Sequence, residues 1–209
     1  MKPVPALSSN LRTDFGRLED FARRLELNFL RFKDGSASIS IHQLELSYSL
    51  LYLRAFLYWE NFLEEMMIRL LCGYLGPNGQ EPLRAGDYYK VLSAARLALL
   101  GGKPYRLWHN VDAVVARFDI FFSNAASPYR TALVATPQLK DYSAIRHRIA
   151  HDQEHGRSEF DVATMHLVAK RIRGSQPGKF LREVVVPGVD TRWLGKILAD
   201  VARIADQMN

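Results

Sequence analysis

The chain has 209 residues, 48% of them hydrophobic and 24% charged, with a formal net charge of +6. That gives room for one sizeable hydrophobic core or at most two small domains, and it excludes a disordered polyelectrolyte. The lone cysteine, Cys72, excludes an internal disulfide and a cysteine-based zinc cluster, and it suits a reducing compartment.

The opening "MKPVPALSSNLRTDFGRLEDF" has one lysine, two prolines and no apolar stretch of the kind a signal peptide needs. Leu11, Phe15, Leu18, Phe21, Ala22, Leu25 and Phe29 then recur at spacings of three and four, which predicts an amphipathic helix over 11–33. "KDGSAS" ends it.

The next helix, about 41–75, is long. Leu44, Leu51, Ala55, Phe62, Met66 and Leu70 form one apolar face, and Tyr48, Tyr52, Trp59 and Leu63 form a second. A helix apolar on two sides belongs in the middle of a bundle. Arg54, Glu60, Glu64, Glu65 and Arg69 interrupt its greasy run, so it suits a protein core and not a bilayer. The expected setting is the cytoplasm, with no membrane partner.

"GYLGPNGQEPLRAGD" breaks the pattern with four glycines and two prolines. Helices are expected at 87–100 and 104–122, and a short piece at 128–135 is ambiguous. Thr136-Pro137 reads as the start of a helix over 138–155. Ser158 and Asp161 read as a capping-box variant opening a helix over 159–173. "EVVV" reads as a short extended stretch, and 191–207 as a last helix capped by Asp190 or Thr191. No repeat or dividing linker is evident. The prediction is an all-α, compact helical bundle with a long central helix, one domain over 1–209, with 190–208 as a C-terminal packing helix.

One stretch, "SAIRHRIAHDQEHG", stands out. His147, His151 and His155 are half of the six histidines and lie four residues apart, on one face if the helix persists. Three readings are open. The stretch is a solvated helix face. Or His147 and His151 form a two-ligand metal pair, completed by Asp152 or His155. Or it serves phosphoryl transfer on RNA, where an imidazole takes the 2′-hydroxyl proton and a guanidinium steadies the phosphate. RNA carries its own nucleophile, so the third reading needs no metal and no cofactor.

"RHRIAH" resembles the signature of the HEPN superfamily, an arginine followed four to six residues later by a histidine, often with an alanine just before it. Arg146 matches the arginine and His151 the catalytic histidine. His147 stands where asparagine is most common. The helical pattern over roughly 40–172 matches the extent of such a core, and Glu60 on the long helix matches an acidic residue that can lie near the site in such domains.

The resemblance implies a metal-independent endoribonuclease that cleaves single-stranded or structured RNA by 2′-OH attack. It implies a homodimer with a composite active site, a toxin or phage-defence effector role, and a protein antitoxin or defence-system partner. Its site would hold Arg146 and His151, with His147, Arg148 and Glu60 assisting. The alternative is a non-catalytic HEPN-fold subunit that binds RNA, a nucleotide or a protein. In one branch the toxin is silenced by nucleotide transfer to a tyrosine two residues after the histidine. Here that residue is Gln153, so this control is not supported.

Nine basic and five acidic residues lie between Lys140 and Arg182, which accounts for most of the net charge. Lys140, Arg157, Lys170, Arg171 and Arg173 are the expected RNA-binding cations. A solvated, cationic helix end is the plainer account of the last three. Tyr129 and Tyr142 are the candidates for stacking on bases.

Overall fold

The computed structural model describes residues 2–31, 39–80, 83–103, 107–123, 125–151, 154–169 and 176–209. Among them are nine α-helices: α1 (Leu7–Arg31), α2 (Ile41–Leu71), α3 (Leu92–Leu100), α4 (Val111–Phe121), α5 (Pro128–Val134), α6 (Gln138–Ala150), α7 (Glu154–Val168), α8 (Pro177–Arg182) and α9 (Trp193–Met208). No strand occurs among the described residues, only isolated bridges such as Val184 with Arg192. The protein is all-helical, and α2, at 31 residues, is its longest element.

By contacts the chain forms two units. The first comprises Met1–Leu11, Tyr58–Leu139 and Ala202–Asn209, and the second Arg12–Leu57 and Lys140–Val201. The ten apolar positions expected on the two faces of α2 are all buried. In the first unit Phe118 of α4 stacks on Phe122 and on Tyr129 of α5, and the Tyr129 hydroxyl donates to the Leu63 carbonyl at 3.1 Å. Asn110 caps α4 by accepting from the Ala113 amide at 3.0 Å. That cap sets the start of α4 at Val111, later than the 104 expected; residues 104–106 lie outside the described ones.

Helix α3 likewise starts at Leu92, not 87. The preceding segment is held extended: Tyr89 N–H donates to Leu71 O at 3.0 Å, the Arg84 guanidinium lies 4.2 Å over the Tyr89 ring, and Tyr88 covers Gly73. At Gly73 φ is +77°, which favours glycine, and a Cβ there would sit tightly, 3.1 Å from the Tyr88 ring.

The second unit has an aromatic centre. Phe180 of α8 stacks on Trp193 of α9, with centroids 5.2 Å apart, and meets Phe160 of α7 edge-on. The "EVVV" stretch supplies a single bridge, Val185 N–H donating to Thr191 O at 2.8 Å. Helix α1 departs from the expected pattern. Leu11, Phe15 and Ala22 are buried, but Phe21 is exposed and Glu26 is buried in its place. Glu26 accepts two hydrogen bonds from Arg182, at 2.6 and 3.2 Å, and pairs with Arg192 at 3.3 Å. This paired carboxylate rotates the buried arc of α1 away from Phe21, because its ion pairs form only inside the fold.

Burial pushes the phenols of Tyr52 and Tyr129 far up, and it does the same to Tyr48, with the Glu26 carboxylate adding to the effect. Below pH 10 these groups are neutral in folded and unfolded chains alike. Above it the unfolded chain releases protons that the folded one keeps, so stability falls as pH rises, by up to about 1.4 kcal/mol per pH unit for each tyrosine. Urea midpoints are therefore expected to hold up to about pH 9.5 and drop steeply between about pH 10 and 11. Tyr129→Phe should flatten that drop; an unchanged slope would mean Tyr129 ionises as freely in the fold as out of it.

Candidate functional site

Helix α6 buries Leu139, Tyr142, Ile145 and Arg148, a stripe of every third residue. Three side chains fix its placement. Tyr52 of α2 donates to the Tyr142 carbonyl at 2.9 Å, the Tyr142 hydroxyl donates to Asp200 of α9 at 2.8 Å, and His166 of α7 lies 3.0 Å from Asp141. Lys196 also reaches Asp200. The start of α6 is thus tied to α2, α7 and α9.

The other, C-terminal end carries the histidine motif. His151 N–H donates to His147 O at 2.9 Å and closes the last turn. The rings of His147 and His151 sit 4.9 Å apart, inclined at 50°. His151 is exposed, while Arg146 and His147 are half-buried. Gly156, in the first turn of α7, allows this packing: a Cβ there would meet His147 Cδ2 at 3.3 Å and His151 O at 3.4 Å. The last carbonyls of a helix carry partial negative charge, which suits a cationic side chain such as Arg146 near this end.

Several expectations change. The helix expected over 138–155 ends at Ala150, and the next begins at Glu154, not 159. Ser158 therefore lies inside α7 and is no N-cap. His155 leaves the stripe of the other two histidines and pairs with Glu159 at 3.0 Å on the exposed face of α7. The close approach at Gly156 packs the start of α7 on the end of α6, where the periodic pattern carried the first helix on to 155.

Arg148 is only 8% exposed, so it lies beneath the surface that His151 presents to solvent. Glu60 is buried in the first unit beside His109, whose Nδ1 lies 3.5 Å from its carboxylate. His109 is a partner of Glu60 that sequence reasoning did not supply. Arg146 and His151 belong to the second unit. Glu64 and Glu65 are accounted for by salt bridges to Arg96, with Arg69 also on Glu65.

Lys140 and Arg157 are exposed on α6 and α7. Lys170, Arg171 and Arg173, and the possible ligand Asp152, lie outside the described residues. Tyr129 and Tyr142 are buried, with their hydroxyls engaged in the hydrogen bonds above, which corrects their reading as base-stacking surfaces. Among the described residues no three histidine, cysteine or acidic side chains are grouped to hold a metal ion. Among them too, no helix is long and apolar enough to cross a membrane. The chain matches no family model, no curated protein and no solved structure.

Proposed function

We propose that this protein is a metal-independent endoribonuclease of the HEPN kind. The observation that carries the reading is the exposed His151 beside His147, 4.9 Å from ring to ring, at the C-terminal end of α6, which packs on α7 at Gly156 and also bears Arg146. His151 takes the proton from a ribose 2′-hydroxyl. The freed oxygen attacks the adjacent phosphorus, and the 5′-oxygen leaves with a proton. The Arg146 guanidinium offsets charge on the phosphoryl oxygens as they crowd. His147 orients the His151 ring or returns the proton to the leaving oxygen. Lys140 and Arg157 steer the backbone. A homodimer would bring two such motifs into one cleft, and a toxin or defence role, with an antitoxin or defence partner, is proposed on the same ground.

The test is incubation of the purified chain with end-labelled single-stranded and structured RNAs in excess EDTA. Products with 2′,3′-cyclic or 3′-phosphate and 5′-hydroxyl ends are expected. RNA that stays intact in every class, or products bearing 5′-phosphate, would overturn the proposal. Retention of intact RNA that weakens with salt would mark a binding module instead.

A further inference from the structure

Helix α1 and the start of α9 leave a gap between them. It is a cavity of about 450 Å³, floored by Tyr48 of α2. Packed interiors leave few voids larger than a water molecule, and this volume falls in the range of small-molecule sites. The whole lining belongs to the second unit. Ala22, Leu27 and Leu194 give it apolar walls, and Leu27, 60% exposed, stands at the mouth.

The cations at this cavity are already held. Arg182 and Arg192 grip the buried Glu26, Arg192 Nη1 also donates to Arg182 O at 2.5 Å, and the Tyr48 hydroxyl bonds to Glu26. Arg23 bonds to Asp20. Each guanidinium therefore has its carboxylate, and two carboxylates are left over. Among the described residues, those of Glu19 and Asp190 receive no hydrogen bond and no salt bridge. Glu19 Oε1 lies over Gly195, 2.6 Å from where a Cβ would stand, and Asp190 leads into α9, so both carboxylates border the α9 end of the cavity. Desolvation raises the Glu19 carboxyl above its ordinary value, with Arg23 opposing the effect. The Thr191 hydroxyl adds a further acceptor there.

A cavity whose donors are spent and whose acceptors are open selects a ligand that donates. An ammonium brings three N–H donors and the charge that two carboxylates lack. A carboxylate or phosphate would meet those two negative charges with no spare guanidinium to receive it. The apolar walls call for an organic body behind the charge.

We propose that this cavity binds a small organic ammonium, a protonated alkyl- or arylalkylamine, with its nitrogen at Glu19 and Asp190 and its apolar part against Ala22, Leu27 and Leu194. The inference stands apart from the ribonuclease reading, and no RNA enters its test. The isotope-labelled full chain is titrated by NMR with phenethylamine, tryptamine and hexylamine, beside neutral phenethyl alcohol and anionic phenylpropionate. At least one amine is expected to bind with Kd below about 1 mM, with amide shifts gathered at Ala22, Tyr48, Thr191 and Leu194. The alcohol and the anion should bind at least about 10-fold more weakly. E19Q/D190N should weaken the amine at least about 10-fold with an unchanged circular dichroism spectrum. D14N, on α1 but outside the cavity, should leave binding as it is. Three amines that all fail to bind at up to about 5 mM overturn the proposal. So does an anion that binds as tightly as the amines. Amine binding that E19Q/D190N leaves intact overturns it too, and a lowered urea midpoint in that variant would then assign the two carboxylates to the α9 dipole.

Discussion

Replacing His151 with alanine is expected to reduce RNA cleavage by about 10²–10⁴-fold while leaving the fold intact. The ring is exposed, so its loss opens no cavity, and its backbone N–H still closes the last turn of α6. Arg146→Ala should cost about 10²–10³-fold, since a guanidinium aimed at a crowding phosphate acts mainly in the transition state. The double variant should be little worse than His151→Ala, because groups that act on one step are not additive. His147→Ala is different. That ring packs on Gly156 and His151, so its removal should lower both stability and activity. Single-turnover cleavage with excess enzyme, together with urea midpoints for each variant, separates the two effects. Cleavage that survives both His151→Ala and Arg146→Ala would place the chemistry elsewhere.

The largest stability loss is expected from Gly178→Ala. A Cβ on Gly178 would lie 1.8 Å from Glu45 O, 2.5 Å from Glu45 C and 2.8 Å from Ser49 Oγ. The first two are backbone atoms inside α2, held by its own hydrogen bonds, so α8 must lift away. Pro177, Phe180 and Leu181 are buried, and lifting α8 separates Phe180 from Trp193 and Phe160. Overpacking of this kind costs on the order of 3 kcal/mol or more. Gly16→Ala provides the contrast. It lies within α1, and an added Cβ meets nothing within 4 Å. There alanine should stabilise by about 0.5–1 kcal/mol. Equilibrium urea unfolding of both variants checks the pair. Equal midpoints would mean that the contact between α8 and α2 is far looser than its geometry implies.

What could be read from the sequence was whatever depends on helical period. The two apolar faces of α2 and the face of α9 formed by Leu194, Ile197, Leu198, Val201 and Ile204 are buried as their spacing predicts. Burial of a repeating apolar set needs only a partner surface, and any bundle supplies one. The density of histidine and arginine at 146–151 was likewise visible, because those residues lie within two turns of one helix.

Contacts between distant segments could not be read. Helix α8 was missed because its six residues carry no full period, although Gln176-Pro177 offered the proline-first signal of a helix start. The break between α6 and α7 was expected five residues too late, because the histidine periodicity runs straight through a corner that depends on Gly156 lying against His147. Glu26 was passed over, and Glu60 given another role, because a charged side chain is buried only where its partners wait. Those partners, Arg182 and Arg192 for one and His109 for the other, are remote in sequence. Tyr142 likewise became an anchor through Tyr52 and Asp200, residues that only the tertiary structure brings to it. The sequence by itself determined an all-helical chain and where its histidines and arginines gather. The tertiary structure decided which of those side chains reach solvent and which hold helices together, because that depends on pairings no local period encodes.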